Sequence, residues 1–177
     1  MSIKWLTALS ALFTLNAHAA LNVGDMAPDF TAQAAIAGKA FTYKLSDALK
    51  NGPVVLYFYP AAFTPGCTKE AHDFAEAVEQ YQALGASVIG VSHDGIDTLK
   101  RFSVSECRSK FAVVADSDGG IMKSYDAVMF MLSRYASRIS YVIAPTGKVL
   151  FVYSSMSPDK HVANTLAAVR KWTAEKH

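Results

Sequence analysis

The run Val54-Val-Leu-Tyr-Phe-Tyr59, with the loop and helix start directly after it, constrains this chain more than any other stretch. The run is built of β-branched, aliphatic and aromatic residues with no polar alternation, which suits a buried strand. Past the loop, Thr64-Pro65-Gly66-Cys67 opens a helix. Thr64 is a good N-cap, and Pro65 falls at the first helical position, where its missing N–H costs nothing. Cys67 then stands in the first helical turn, where unpaired backbone N–H groups and the positive end of the helix dipole favour an anion. A thiol placed there is stabilised as thiolate, the nucleophilic form. Most free cysteines are small buried hydrophobes; the helix-start position sets Cys67 apart.

The rest of the chain supports a layered α/β fold. Ala34 to Tyr43, with Gly38-Lys39 at its middle, reads as a hairpin, and Leu45 to Leu49 as a single helical turn. The helix after Cys67 carries Ala71, Phe74, Ala75, Val78 and Tyr81 at helical spacing, and Gly85 stops it. Ala86 to Ser92 is a second buried strand. A helix from Asp97 or Thr98 to about Arg108 comes next, then a strand at Phe111 to Ala115 and a short helix at Ile121 to Tyr125. Ala127 to Ser137 is a Met-rich loop whose Met129-Phe130-Met131 cluster is expected to pack. Strands Ile139–Ala144 and Val149–Ser154 form a hairpin across Pro145 to Lys148, and Ser157-Pro158-Asp159 caps a last helix with Val162, Leu166 and Val169 on one face. This order implies a mixed sheet with helices on both sides.

The 177 residues suit one domain with a sizeable core. Met1 to Ala19 reads as a secretory signal: Lys4 in a short basic start, an apolar run from Trp5 to Leu15, and Ala17-His18-Ala19 as the cleavage site. The apolar run is too short for a permanent membrane anchor. The expected organisation is a leader at 1–19 and one domain at 20–177. Export, to the periplasm if the source is bacterial, implies an oxidising compartment. The net charge of +2 points to neither nucleic acid nor an anionic membrane as partner. Cys67 and Cys107 are the whole cysteine inventory, too few to staple a scaffold. A core must hold the fold, which leaves the thiols for chemistry.

The string Phe58-Tyr-Pro-Ala-Ala-Phe-Thr-Pro-Gly-Cys-Thr-Lys-Glu-Ala71 resembles the active-site signature of the peroxiredoxins, and in particular their PrxQ, or bacterioferritin-comigratory-protein, branch. Val23-Gly-Asp-Met-Ala-Pro-Asp-Phe30 is similar to the segment that begins most of them, and the resemblance extends to the last helix. It implies a thioredoxin-like fold with an N-terminal β-hairpin extension. It also implies a thiol-dependent peroxidase acting on hydrogen peroxide and organic hydroperoxides through a cysteine sulfenic acid, with no metal or cofactor. By the same resemblance Cys67 is the peroxidatic thiol, Thr64 orients the peroxide and Pro60 shields the nucleophile. Arg138, in Arg138-Ile-Ser-Tyr-Val-Ile143, stabilises thiolate and peroxide; Arg134 is the competing arginine, and Glu70 a residue that orients an arginine or only faces solvent. The implied partners are a peroxide and a thioredoxin-like or other thiol reductant, with the chain a monomer or weak dimer and no stable membrane association.

The PrxQ branch commonly carries a second Cys five residues after the first, where this chain has His72. Cys107 is therefore the candidate resolving thiol, with an inert core residue or an intermolecular thiol as the alternatives; it falls near the end of the following helix, in a polar neighbourhood, Ser105-Glu-Cys-Arg-Ser109, that argues mildly against a deep core position. Two other functions compete. Cys67, His72, His93 and His161 could serve a periplasmic copper-binding module, but a zinc site needs about four ligands at compatible spacing and no such set is present; each histidine is expected at the surface. Thiol–disulfide exchange is the third, weakened by the absence of C-x-x-C.

Overall fold

The computed structural model describes residues 20–176. The expected leader at 1–19 lies outside the described residues. Twelve elements run in order: β1 (Thr31–Ile36), β2 (Lys39–Lys44), α1 (Leu45–Leu49), β3 (Val54–Phe58), α2 (Pro65–Ala83), β4 (Ser87–Ser92), α3 (Ile96–Ser105), β5 (Ala112–Ala115), α4 (Gly120–Ser124), β6 (Ile139–Ile143), β7 (Val149–Ser154) and α5 (His161–Glu175). One mixed seven-stranded sheet has the order β2-β1-β5-β4-β3-β6-β7. Strands β3, β4 and β5 are mutually parallel; β6 and β7 add antiparallel on one side, and the β1–β2 hairpin on the other. The hairpin turns at Ala37 and Gly38, both with positive φ (50° and 77°), which fits the right-handed twist of the strands it joins.

Every residue of β3 is buried, as its unbroken apolar run requires of a central strand. Its alternation builds two cores. Val55 and Tyr57, with Tyr59 just beyond, pack under α2, α3 and α5 beside Phe74, Phe102 and Val169. Val54, Leu56 and Phe58 face the other way, against Leu45, Leu49, Met122 and Tyr125. Each such side chain, fully buried, stabilises the fold by roughly 1.5–3 kcal/mol. Tyr57 lies flat across Gly90 of β4, whose Cβ would come within 2.8 Å of its ring, so that position admits only glycine without a shift.

Three local expectations change. Helix α3 ends at Ser105, because Arg108 and Ser109 turn left-handed (φ 50° and 58°) and reverse the chain; Cys107 lies past the helix. Helix α5 begins at His161 behind a Lys160 N-cap, while Ser157 spends its hydroxyl on Asp159 at 2.8 Å. In the loop before β6, Phe130 and Met131 are 88% and 87% exposed, so the Met-rich cluster does not pack as expected. A lone bridge between Val128 and Ala136 closes the base of this loop and leaves its tip in solvent.

Candidate active site

Helix α2 places Cys67 in its first turn, with Pro65 leading as the sequence predicts. The sulfur is more enclosed than a helix mouth suggests: Cys67 is 1% exposed. Its charged neighbour comes from across the sheet. The antiparallel pairing of β3 with β6 sets Phe58 opposite Ile139, so Arg138 stands where β3 gives way to the Pro60–Thr64 loop. Arg138 is itself buried, and its guanidinium reaches three ways. Nη2 donates to Cys67 Sγ at 3.5 Å, Nη1 to Glu70 Oε2, and Nε to the Met156 carbonyl at 3.0 Å. Burial works against charge on Arg138, but Glu70 and Cys67 beside it more than offset that and hold the guanidinium charged. Arg134, the competing arginine, is exposed on the loop.

Two residues make this approach possible without touching the sulfur themselves. Gly66 lies beneath the guanidinium; a Cβ there would sit 3.0 Å from Nη2. Glu70, one helical turn after Cys67, shares its face and is fully buried, which decides between orienting an arginine and facing solvent. Burial pushes the Glu70 carboxyl up to about 8, with Arg138 pulling the other way.

Thr64 occupies the N-cap with extended φ and ψ (−75° and 149°), but its side chain does not cap the helix. Its hydroxyl instead donates to the Ala61 carbonyl at 2.9 Å, which uses its proton and leaves its oxygen lone pairs as acceptors. The preceding loop is held hard. Asp94, which nothing in the sequence singles out, accepts from the Ala62 N–H at 2.7 Å and from the Ser92 hydroxyl at 2.8 Å. Phe63 takes a left-handed φ of 64° and sets its ring edge-on to Phe102, 5.3 Å between centroids. Such backbone costs on the order of 1–2 kcal/mol for a residue with a Cβ, a strain characteristic of functional sites. Pro60, half-buried, starts this loop at the end of β3.

Cys107 departs from expectation. Despite its polar sequence neighbours it is fully buried, in the cluster that includes Tyr59 and Phe102. Burial pushes its thiol well up, and Glu106 adds to that. Both cysteines are free thiols. The histidines scatter. His72 Nε2 meets Glu106 at 2.9 Å and His93 Nδ1 lies 3.2 Å from the Asp116 carbonyl, both at half-buried positions. His161, expected at the surface, is fully buried behind Glu70 instead; it opens α5 directly under the chain that leaves β7. Among the described residues no three His, Cys, Asp or Glu side chains converge as a metal site would require.

An anion-favouring helix start, a cysteine on it and a buried arginine aimed at the sulfur form a site for attack by a thiolate on an electrophile whose developing charge the guanidinium takes up. Residues 23–152 match the AhpC/TSA family. The chain is 36% identical over 148 residues to chloroplastic peroxiredoxin Q from Triticum aestivum, covering 83% of this chain and 66% of that protein. It thus spans just under two thirds of the plant relative's length. Peroxidoxin BcpB from Mycobacterium tuberculosis is similar in structure, with a TM-score of 0.77, 33% identity, and coverage of 87% of this chain and 98% of that one. PrxQ from Xylella fastidiosa superposes with a TM-score of 0.76 at 25% identity, covering 92% of this chain and all of that one. With the signature around Cys67, the arginine at its sulfur and the match over residues 23–152, this chain belongs to the AhpC/TSA family as a peroxiredoxin of the PrxQ, bacterioferritin-comigratory-protein-like kind.

Proposed function

We propose that this protein is a thiol-dependent peroxidase that reduces hydrogen peroxide and organic hydroperoxides at Cys67. The observation that carries this reading is the Arg138 guanidinium at 3.5 Å from Cys67 Sγ in the first turn of α2. The Cys67 thiolate attacks the terminal peroxide oxygen; the S–O bond forms as the O–O bond breaks, leaving a sulfenic acid on Cys67 and an alkoxide or hydroxide that takes a proton from solvent. Arg138 stabilises the charge moving onto the leaving oxygen. The Thr64 oxygen, its own proton committed to Ala61, accepts the peroxide O–H, and Pro60 keeps water from the sulfur. The Cys107 thiol then condenses with the sulfenic acid, the S–S bond forming as water leaves, and a thioredoxin-like or other dithiol reduces that disulfide back to the two thiols.

Cys107 is the resolving thiol in this proposal. Both cysteines are buried in the same apolar cluster, and the disulfide forms where their Cα atoms come within about 7 Å. The chain acts as an exported protein, its leader cut after Ala19, and as a monomer or weak dimer. A copper-binding role has no support in the side-chain arrangement, with His72, His93 and His161 each bonded elsewhere.

Peroxide consumption with dithiothreitol as reductant tests the proposal: wild type turns over and Cys67→Ser does not. Activity surviving in Cys67→Ser would overturn it. Mass spectrometry of the exported, peroxide-treated protein reads the N-terminus and the thiol connectivity together; a mature chain beginning at Ala20 with a Cys67–Cys107 bond is expected.

A further inference from the structure

In the turn after β4, half-buried Asp94 points one carboxylate oxygen, Oδ2, back at the loop that leads into α2. Oδ2 accepts from the Ala62 N–H at 2.7 Å and from the Ser92 hydroxyl at 2.8 Å. Ser92 is fully buried, and its oxygen in turn accepts the Asp94 N–H at 3.3 Å, so the carboxylate is aimed by the strand it follows. Among the described residues no other side chain accepts from a main-chain N–H of the 60–64 loop. The Ala62 N–H belongs to the same peptide unit as the Ala61 carbonyl, and that carbonyl accepts the Thr64 hydroxyl proton at 2.9 Å. A peptide unit is a rigid plane with its N–H and C=O on opposite edges. A carboxylate that fixes the N–H on one edge therefore fixes the C=O on the other.

The bond to Ala62 is charge-assisted, about twice as strong as a neutral one. A peptide N–H that donates to an anion also makes its own carbonyl the better acceptor. We propose that Asp94 is a positioning residue for the peroxide: acting through the Ala61–Ala62 peptide, it holds the Thr64 proton on the Ala61 carbonyl and so keeps the Thr64 oxygen an acceptor for the peroxide O–H.

The hydroxyl needs such control because it has none of its own. Thr64 is exposed, and a hydroxyl turns its proton to whichever acceptor is best placed. A proton released by Ala61 is free to bond the peroxide or solvent, and the peroxide then approaches with its own O–H unsatisfied. The other anchors of the loop act at its ends. The Tyr59 N–H donates to the Val91 carbonyl at 3.1 Å and seats the start of the loop. Phe63, with its left-handed φ of 64°, rests edge-on against Phe102 and seats the end. Between them the 61–62 plane is free to turn over except for its bond to Asp94. Turning over would carry the Ala61 carbonyl away from Thr64. Asp94 thus reaches the peroxide only through a peptide and a hydroxyl, and touches neither Cys67 nor Arg138.

This role rests on the peroxidase reading, and two rates measured on the same protein separate them: single-turnover reduction of hydrogen peroxide, and alkylation of Cys67 by iodoacetamide, an electrophile with no O–H to place. Asp94→Ala slows peroxide reduction by roughly ten- to a hundredfold, the cost of a misplaced contact at the reacting group, and leaves the alkylation rate unmoved. Asp94→Asn keeps an acceptor oxygen and loses the charge, and it recovers all but roughly threefold of the peroxide rate. Thr64→Val removes the hydroxyl and slows peroxide reduction by roughly the same factor as Asp94→Ala. In that background Asp94→Ala costs less than about threefold more, since the two residues act as one unit. A full loss from Asp94→Ala where the Thr64 hydroxyl is already gone overturns the proposal. So does alkylation that slows in step with peroxide reduction, the mark of a loop that has merely lost its shape. Should Asp94→Ala fail to fold, Asp94→Asn decides: its smaller loss is confined to peroxide and absent in Thr64→Val, or the proposal falls. The peroxidase reading fails on a different result, wild-type Cys67 that consumes no peroxide.

Discussion

Replacing Arg138 with methionine separates what this residue does for chemistry from what it does for the fold. Methionine keeps much of the apolar stem and removes the guanidinium, and with it the bonds to Cys67 Sγ, Glu70 and the Met156 carbonyl. The contact to sulfur is a charge-assisted donor aimed where negative charge develops. Loss of one such preorganised donor costs about 10²–10³ in rate, or about 3–4 kcal/mol of transition-state stabilisation. Stability obeys a different rule. Removing one partner of a buried ion pair ordinarily costs about 3–5 kcal/mol, because the other is left as an uncompensated charge. Here the surviving partner is Glu70, whose carboxyl burial already raises to about 8, so at pH 6.5 it is left neutral and the cost is the smaller one of lost hydrogen bonds. This fixes the sign of the pH dependence. A carboxyl raised from 4.5 in the unfolded chain to about 8 in the folded one makes the folded state bind the extra proton, so its contribution is full below about 4.5 and is lost as pH climbs towards 8. Without the Arg138 charge, which lowers that value, the decline in Arg138→Met continues to higher pH than in wild type. The assay is second-order peroxide reduction by stopped flow, with urea unfolding at pH 6.5 and pH 9. A rate loss below tenfold, or a stability deficit equal at both pH values, would refute the reasoning.

Two further substitutions probe the surroundings. Gly66→Ala should lower stability by about 1–2 kcal/mol, the crowding of a held group outweighing the helix preference of alanine, and slow peroxide reduction by roughly tenfold, because its Cβ would meet an Arg138 Nη2 that Glu70 and Met156 hold in place; thermal unfolding and steady-state kinetics read the two losses. Cys107→Ser should cost about 1–3 kcal/mol, since it puts a hydroxyl into an apolar cluster, and should leave the first peroxide turnover intact while slowing turnover with a thioredoxin-type reductant, as single-turnover and steady-state rates on one preparation will show.

How much of the site was legible in the chain depends on whether the cause was local. Pro65 at the first helical position, Gly85 as a stop and the two faces of α2 arise from residues a few positions apart, so strand, helix start and nucleophile could be read directly. Arg138 was legible only through a family pattern, since nothing in its own segment says that β6 will lie against β3. Misreadings fell where distant chain decides the environment. Cys107 has polar neighbours, but the left-handed turn at Arg108 and Ser109 brings it into the core beside Tyr59 and Phe102. His161 begins a helix whose core face was identified from Val162, Leu166 and Val169, yet its burial comes from Tyr153, Ser155 and Ser140. Phe130 and Met131 show the converse, apolar residues that the closed loop leaves in solvent.

By itself, then, the sequence determined the elements, their order and the thiol at a helix start, because apolar periodicity, caps and breakers act within a turn or two of chain. Only the tertiary structure decided which charges stand together at that thiol. The register between β3 and β6 brings Arg138 to the sulfur, and the docking of α5 brings His161 to Glu70. Such pairings depend on how whole elements share a sheet and bury their faces, a property that no short stretch of chain possesses.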